Sequence, residues 1–262
     1  MDLGLRGKSA LVLAASRGLG RAIAAELARE GARVLITSRG ESALAGAASD
    51  IARETGGEVL HRAADLTRSD DVDALISYAN ESLGGVDVLV TNTGGPPAGN
   101  FDDFADEDWS AAFDLILLSL IRVVRGVLPG MRGRGGGRIV CVASSSVKQP
   151  IEGLILSNTF RAGLNGLVKS LSAELAPDGI LINALGPGRV STDRTADLDR
   201  RRADSLDVSV EEVRRWYEAR IPLGRYGAPE EFARVAAFLA SPANGYVTGQ
   251  AILVDGGMVR AI

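Results

Sequence analysis

The chain has 262 residues, of which 46% are hydrophobic and only 5% aromatic, and its formal net charge is −4. This charge argues against a surface for nucleic acid or for anionic membranes. No run approaches the roughly 18 apolar residues of a membrane span, and residues 1–8 lack the apolar core of a signal peptide, so we expect a soluble, cytoplasmic protein.

Apolar runs typical of buried parallel strands alternate with helical patterns almost to the end of the chain. The predicted strands cover residues 9–14, 33–37, 58–62, 86–91, 138–143, 181–185 and 250–254. The predicted helices cover residues 18–30, 41–55, 69–83 and 106–128, and a further helix runs to about residue 176. No linker or repeat divides the chain. The alternation therefore predicts one α/β domain over residues 1–262, with a doubly wound, seven-stranded parallel sheet flanked by helices.

Glycine and proline mark the expected ends of these helices. Gly31 is placed to cap the first helix, and Gly56 with Gly57 closes the second. Pro129 and the glycine-rich residues 133–137 are expected to end the long fourth helix, whose apolar middle predicts burial on more than one side.

A glycine-rich turn follows the first predicted strand and leads directly into the first helix. It reads Ala14-Ala15-Ser16-Arg17-Gly18-Leu19-Gly20. The backbone N–H groups of such a turn, together with the positive end of the helix dipole, favour a pyrophosphate group. The strand–turn–helix context predicts a dinucleotide-binding site.

Three consecutive hydroxyls, Ser144, Ser145 and Ser146, follow the fifth predicted strand, and Lys148 comes shortly after them. Open α/β sheets bind ligands at the carboxyl ends of their strands, so we expect the active site in residues 144–166.

Residues 189–225 interrupt the alternation with a long, charged and partly helical stretch. We interpret this stretch, called the lid segment below, as a cover over the binding site, with Trp216 and Tyr217 on an apolar underside. A solvated helical surface is the alternative interpretation.

These motifs, in this order, resemble the short-chain dehydrogenase/reductase superfamily, and the resemblance covers nearly the whole chain. It implies a Rossmann-type fold whose dinucleotide-binding turn reads TGxxxGxG. Here Leu13 replaces the threonine and Ala14 the first glycine, whereas Gly18 and Gly20 match. The methyl group of Ala14 narrows the approach of the backbone to a cofactor. The resemblance also implies cofactor contacts at Asp65, Leu66, Asn92, Thr93, Gly94, Pro187, Gly188 and Thr192, and residues 239–257 match its C-terminal signature.

The end of the second predicted strand favours NADP(H) over NAD(H). An acidic residue there would bind the ribose 2′-hydroxyl of NAD, but this chain has Thr37, Ser38 and Arg39. Arg39, with Arg17 of the glycine-rich turn and the Ser38 hydroxyl, suits a 2′-phosphate. The alternative is that both arginines are ordinary surface charges.

Three of the family's four catalytic residues are replaced. The resemblance places the catalytic serine at Ser144, the tyrosine at Ser157, the lysine at Arg161 and the asparagine at Ile116. A serine hydroxyl is far less acidic and shorter than a phenol. Arg161 can still bind the cofactor by donating to its ribose hydroxyls, but an arginine does not share in a proton relay. The predicted proton donor is therefore non-standard: Lys148 is the first candidate and Tyr217 the second, each with a surface or packing role as the alternative.

The single histidine and the single cysteine argue against a Cys/His zinc site and a Ser-His-Asp triad, so no metal is predicted. His61 is interpreted as structural, and Cys141 as a buried inert thiol.

The pattern of Ser157, Asn158 and Arg161 resembles a branch of proteins similar to β-ketoacyl-carrier-protein reductases that lack the complete catalytic set. It implies an NADP-dependent oxidoreductase acting on a small carbonyl or hydroxyl compound, 3-oxoacyl-like substrates included. The resemblance also implies a homotetramer, or a homodimer, assembled through the long helices beside the fifth strand and through the last strand. Two alternatives stay open, namely ligand binding without redox turnover and a non-redox lyase or isomerase reaction.

Overall fold

Seven parallel strands form one sheet, in the order β3-β2-β1-β4-β5-β6-β7, in the computed structural model, which describes residues 1–261. The strands are β1 (Ser9–Leu13), β2 (Arg33–Ser38), β3 (Val59–Ala63), β4 (Val88–Thr91), β5 (Gly137–Val142), β6 (Ile180–Pro187) and β7 (Ala251–Val254). The predicted seven-stranded parallel sheet is confirmed. The strand order reverses between β1 and β4, so a crevice opens at their carboxyl ends.

Nine α-helices among the described residues cover both faces of the sheet. They are α1 (Gly18–Arg29), α2 (Glu41–Thr55), α3 (Ser69–Leu83), α4 (Asp106–Phe113), α5 (Ser119–Gly133), α6 (Ile155–Leu175), α7 (Asp193–Leu206), α8 (Val210–Glu218) and α9 (Pro229–Leu239). The predicted bounds of α2 and α3 are confirmed, and left-handed glycines follow α1 and α2 as expected, with φ of 88° at Gly31 and 70° at Gly56.

Two apolar cores lie on opposite faces of the sheet, because successive side chains of a strand point to opposite faces. In β1, Ala10 and Val12 pack in the core covered by α1, α2 and α9. Leu11 and Leu13 pack in the core covered by α3, α5 and α6. The central strands are buried on both faces, as their continuous apolar runs predict.

The prediction of one regular helix over residues 106–128 is wrong in two respects. A π-turn over Asp114–Leu118 separates α4 from α5, and α5 continues through Pro129 to Gly133. The proline ring already has a helical φ, and near the end of the helix its missing N–H costs one hydrogen bond. The glycines beyond it end the helix, since Gly135 and Gly136 have φ of 75° and 151°.

The lid segment forms α7 and α8, and a buried polar network joins both helices to its base. Arg189 Nη1 lies 2.7 Å from Asp199 Oδ1, and the Tyr226 hydroxyl donates to Asp199 Oδ2 at 3.0 Å. The Arg189 guanidinium also stacks 3.4 Å from the ring centroid of Tyr217. The buried apolar residue of α8 is Val213, whereas Trp216 is 43% exposed, so the predicted placement of Trp216 on an apolar underside is wrong.

No helix within residues 1–261 combines the length and the apolar composition that a membrane crossing requires.

Candidate active site

Five buried side-chain polar atoms have no hydrogen-bond partner within the described part of the chain, and all five lie at the carboxyl edge of the sheet. They are Thr37 Oγ1, Ser38 Oγ, Thr93 Oγ1, Ser146 Oγ and Arg161 Nε. A buried polar group without a partner costs roughly 1–3 kcal/mol. These buried groups run from β2 to β5 along this edge, and a ligand or an ordered water that reaches them would offset this cost.

The glycine-rich turn lies at one end of this row. Ala14 has a left-handed backbone with φ of 48°, a conformation that glycine adopts without the cost of about 1–2 kcal/mol that alanine carries. This backbone geometry agrees with its alignment to the first glycine of the motif. At Gly20, a Cβ atom would lie 2.4 Å from the Ala14 carbonyl oxygen, so only glycine fits there.

Asn92, which follows β4, holds the turn from the other side. Its Nδ2 donates to the Ala14 carbonyl oxygen at 3.3 Å and lies 2.9 Å from the position that a Gly20 Cβ would occupy. The predicted cofactor residues of the turn and of the segment after β4 are thus adjacent. Gly94 is exposed, with no atom within 4 Å of its Cβ position, so the backbone there is open to a ligand.

Arg17 and Arg39, which were predicted to share a 2′-phosphate, have different neighbours. Arg17 lies 3.6 Å from Asp193 at the start of α7, and both side chains are exposed. Arg39 is exposed at the end of β2, and its positive charge helps to lower the pKa of the Asp65 carboxyl. An exposed ion pair is weak, so the Arg17 side chain is free to turn towards a ligand.

Asp65 lies after β3 and is ionised. Hydrogen bonds from the backbone N–H and the hydroxyl of Thr67 lower the pKa of its carboxyl, and nearby arginines lower it further. Leu66 beside it is buried. A charged, locally bonded carboxylate with a buried leucine next to it is compatible with the predicted adenine contact, which stays a prediction.

Ser144 follows β5, where its Oγ accepts a hydrogen bond of 3.1 Å from the backbone N–H of Ser146. This bond caps a short 3₁₀ turn over Ser145–Val147. At Gly186 of β6, a Cβ atom would lie 2.7 Å from the Ser144 carbonyl oxygen. The absence of a side chain at Gly186 therefore lets β6 approach closely and fixes the position of Ser144.

The segment after β6 also depends on glycine. A Cβ atom at Gly188 would lie 2.5 Å from that of Asp255, and Thr192 Oγ1 accepts from the Thr195 backbone N–H to cap α7. Thr192 also lies near the glycine-rich turn, 3.9 Å from the position of a Gly18 Cβ. Pro187 and Gly188 thus lead the chain from the sheet edge to the turn.

Arg161 of α6 is buried, with only 7% of its surface exposed, and its guanidinium donates to the Val142 carbonyl oxygen. Arg161 takes part in none of the ion pairs of the described residues. Burial, and to a lesser degree the charge of Arg194, lowers the pKa of Arg161 to about 10. The group is still cationic at neutral pH, so the site contains a positive charge without a counterion.

Ser157 and Asn158 lie one turn before Arg161 on α6. None of the hydrogen bonds among the described residues involves the Ser157 hydroxyl, which is half-buried and available to a ligand. The Asn158 amide donates to the Ile151 carbonyl oxygen at 2.8 Å and accepts from its N–H at 3.1 Å. Asn158 therefore fixes the loop that borders the site.

Ile116, at the position of the family's asparagine, lies in the π-turn with 1% of its surface exposed. It lines a cavity of about 10 Å³, room for about one water molecule. The other lining residues are Leu13, Thr91, Asn92, Thr93, Ser119, Leu120, Val142, Arg161 and Leu164. The polar members of this lining lie beside the unpartnered Arg161 Nε and Thr93 Oγ1.

The two predicted proton donors lie in different surroundings. Lys148 is exposed. Tyr217 is covered by the guanidinium of Arg189 within the lid network. The predicted roles of Cys141 and His61 fit the structure, because burial raises the pKa of the thiol to about 12, while His61 lies 3.2 Å from Glu41 on the surface of β3.

Sequence reasoning missed Arg194 of α7. Its Nη2 donates to the Pro96 carbonyl oxygen at 3.0 Å and lies 2.7 Å from the position of a Gly95 Cβ. The guanidinium thus lies flat on the loop after β4 and connects the lid segment to the sheet edge. In the sequence it is one arginine among many in a charged stretch, so no pattern distinguishes it.

A family model described as Enoyl-(Acyl carrier protein) reductase matches residues 13–259. The 3-oxoacyl-acyl-carrier-protein reductase FabG of Aquifex aeolicus is 35% identical over 258 residues, which are 98% of this chain and 100% of that protein.

Two solved structures are similar over nearly the whole chain. L-Sorbose reductase from Gluconobacter frateurii, complexed with NADPH and L-sorbose, has a TM-score of 0.95 and 33% identity, covering 100% of both chains. An NADPH-bound short chain oxidoreductase from Pseudomonas aeruginosa PAO1, described as containing an atypical catalytic center, has a TM-score of 0.87 and 32% identity, covering 97% of this chain and 98% of that one.

Proposed function

The chain belongs to the short-chain dehydrogenase/reductase family, in its ketoacyl-reductase-like branch, and from this premise we propose that it is an NADP-dependent oxidoreductase of carbonyl or hydroxyl compounds. The observation that carries the proposal is the row of five unpartnered polar atoms along the carboxyl edge of the sheet. The names of its relatives make 3-oxoacyl-like compounds the first substrates to test.

The residues present fit a bound dinucleotide. The turn over residues 14–20 would hold the pyrophosphate, because its glycines leave the backbone open and α1 begins there. Ser38 and Arg39 would hold a 2′-phosphate, because the Ser38 hydroxyl lacks a partner and Arg39 is exposed beside it. Structures of relatives with NADPH support this preference.

A reduced nicotinamide, when bound, supplies a hydride to the carbonyl carbon of the substrate. In the proposed reduction, the Ser144 hydroxyl donates a hydrogen bond to the carbonyl oxygen as negative charge develops on it. The Arg161 cation, held against the Val142 carbonyl, stabilises the same charge at longer range. As the hydride adds to the carbonyl carbon, the π electron pair moves to the oxygen and gives an alkoxide. The alkoxide must then accept one proton.

That proton comes, in this proposal, from water through the Ser157 or Ser144 hydroxyl. The serine hydroxyl gives its proton to the product alkoxide, and the two alkoxides have similar basicity, so this exchange is nearly balanced. Water then returns one proton to the serine, and the hydroxide that remains is neutralised by the buffer, so the reduction takes up one proton overall. A tyrosine assisted by a lysine is a stronger acid, so the expected turnover is slower than that of relatives with the complete set.

A titration of the purified protein with NADPH and NADH, followed by NADPH oxidation with ketones and ketoacyl compounds, tests the proposal. We expect NADPH to bind more tightly and to be oxidised. None of Ser144, Ser157 and Arg161 titrates between pH 6 and 9, so kcat should be flat there. A kcat that falls as the pH rises through this range would show that a titrating side chain donates the proton, and would contradict the route through serine.

The replacement of Tyr, Lys and Asn by Ser157, Arg161 and Ile116 favours a second candidate, a protein that binds the dinucleotide without turnover. Tight NADPH binding with no oxidation, unaffected by Ser144→Ala, would support it. Turnover of a substrate without any change in nicotinamide absorbance would instead indicate a lyase or isomerase.

The proposal includes a homotetramer or homodimer. An aromatic cluster lies on the outer side of α4 and α6, where Trp109 and Phe160 have centroids 6.1 Å apart, and Phe101 and Phe113 are 67% and 38% exposed. The edge strand β7 is apolar and half-buried. Light scattering that gives the monomer mass would contradict this assembly.

A further inference from the structure

Two arginines without carboxylate partners lie on the two sides of the loop that follows β4. Arg161 shares the small cavity with Asn92 and Thr93 of this loop, and Arg194 lies on Gly95 and the Pro96 carbonyl oxygen of the same loop. Their charges are close enough that Arg194 lowers the pKa of Arg161. The loop after β4 is therefore flanked by two positive charges near the reacting end of the site, the buried Arg161 on one side and the exposed Arg194 on the other.

The lack of a counterion distinguishes these two arginines from their neighbours. Arg17 pairs with Asp193, Arg200 with Asp197, and Arg202 with Glu152. None of the ion pairs among the residues that the structure describes involves Arg161 or Arg194. The Arg161 Nε is in addition buried and without any hydrogen-bond partner. Asp197 offsets part of the Arg194 charge without forming an ion pair with it. Two cations without a direct carboxylate contact, one of them buried, favour an anionic ligand.

A carboxylate on the substrate fits this position better than a cofactor phosphate does. The pyrophosphate of the dinucleotide is expected at the glycine-rich turn, where α1 begins, whereas Arg161 lies on α6 and donates to the carbonyl at the end of β5. A guanidinium fork binds a planar carboxylate through two parallel hydrogen bonds. Arg194 has one such donor engaged by Pro96, and the residue is exposed.

We propose that Arg194 binds a carboxylate of the substrate, with the charge of the buried Arg161 acting on it at longer range, so that the substrate is an oxo acid, or the corresponding hydroxy acid, rather than a neutral ketone or ester. This inference rests on the proposed function and narrows its substrate class. Arg194 is then a specificity residue that the lid segment places over the site, and the carboxylate joins the lid to the loop after β4.

The test compares a 3-oxo acid with its own ester, because they differ only in the charge at the proposed contact. NADPH oxidation is measured with acetoacetate and with methyl acetoacetate. We expect wild-type kcat/KM for the acid to exceed that for the ester at least about tenfold. Arg194→Gln should lower this ratio about tenfold, through KM for the acid, and should leave the ester and the affinity for NADPH unchanged.

Arg200→Gln is the matched control, because Arg200 lies on the same helix, is exposed and is paired with Asp197. It should leave the ratio unchanged. Arg194→Lys keeps the charge but not the fork, so it should recover part of the preference. Equal kcat/KM for acid and ester in the wild type, or a loss of NADPH affinity in Arg194→Gln without a change in the acid-to-ester ratio, would overturn the inference.

A binding measurement separates this inference from the proposed function. Malonate, which carries carboxylates and no reducible ketone, is titrated into the protein saturated with NADPH by calorimetry. We expect Arg194→Gln to weaken malonate about tenfold and Arg200→Gln to have no effect. Arg194-dependent malonate binding without oxidation of NADPH by any carbonyl compound would contradict the redox function alone. Malonate binding that does not depend on Arg194 would contradict the carboxylate site alone.

Discussion

The two ends of the cleft differ in whether the backbone or the side chains determine their chemistry. At the proposed nucleotide end, around residues 14–20, the geometry is set by the backbone, and Ala14 adopts the left-handed conformation that glycine adopts more easily. At the proposed reacting end, the function of each position depends on one side chain, and the resemblance places Ser157, Arg161 and Ile116 where the family has tyrosine, lysine and asparagine. A site built from backbone groups tolerates substitution in a way that a site built from side-chain acids does not.

We expect the largest effect from Gly20→Ala, which changes the backbone of the turn over residues 14–20. Its Cβ would overlap the Ala14 carbonyl oxygen at 2.4 Å, so the turn must shift and lose its N–H geometry. We expect the affinity for NADPH, measured by fluorescence titration, to fall at least about a hundredfold, the equivalent of two or more lost hydrogen bonds to a charged group. Gly46→Ala, at an exposed position of α2 with open space around its Cβ, is the control. Unchanged NADPH binding in Gly20→Ala would rule out the turn as the dinucleotide site.

The reacting end is tested by restoring the family's pair in the double variant Ser157→Tyr and Arg161→Lys. A phenol beside an ammonium supplies the missing general acid, so kcat for NADPH oxidation should rise about a hundredfold. The pH profile should also change, because the new acid titrates, and kcat for reduction should fall as the pH rises through the tyrosine pKa. Arg161→Lys alone, without the tyrosine, is the control and should give no such rise. An unchanged kcat in the double variant would mean that the wild-type donor is not the limiting feature.

Arg39→Ala tests the contribution of one side chain to the proposed nucleotide end, because it leaves the backbone of the turn unchanged. If Arg39 holds a 2′-phosphate, the dissociation constant of NADPH should rise about tenfold while that of NADH stays the same. Arg68→Ala is the matched control, since Arg68 is likewise exposed and likewise near Asp65. Equal losses for both cofactors would place the contact elsewhere on the dinucleotide.

The smallest expected effect is that of Ala14→Gly. Glycine adopts a φ of 48° without strain but loses more conformational entropy on folding, so the free energy of unfolding should rise by only about 0.5 kcal/mol, measured by urea denaturation. Removal of the methyl group should strengthen NADPH binding severalfold. Weaker NADPH binding would show that the Ala14 methyl group contacts the cofactor favourably.

The sheet and most helix bounds follow from local patterns, and for that reason they were predictable. The apolar runs and the glycines at residues 31 and 56 indicate where elements end, because these signals act over a few residues. The prediction that Pro129 helps to end the helix was wrong, because the cost of a proline depends on its distance from the end of the helix. That distance cannot be read from the sequence. The π-turn was also missed, because its hydrogen bonds reflect packing between α4, α5 and α6 rather than the residue types of 114–118.

The site was located by its motifs, but its electrostatics were not predictable. The exposure of Lys148 depends on the direction in which the 3₁₀ turn after Ser144 leaves the sheet. The position of Arg194 depends on how α7 lies on the loop after β4, a contact between residues 98 positions apart. Which charges lack partners is a property of the whole fold, and a pattern read along the chain contains no such information.

The π-turn over Asp114–Leu118 has a consequence for how the chain tolerates changes in length. A π-turn contains one residue more than the α-helical turn that it replaces, so the deletion of a single residue there would leave a continuous α-helix. The two helices would then keep their relative orientation, because the π-turn already absorbs the extra residue. If residues 114–118 instead formed a regular α-helix without a deletion, α4 would rotate by about 100° relative to α5, which is the angle of one residue in an α-helix. Trp109 and Phe113 would turn away from Phe160, while α5 and its contacts with α3 would stay in place. The π-turn thus keeps the aromatic face of α4 directed at α6 although the segment is one residue longer than a regular helix would be.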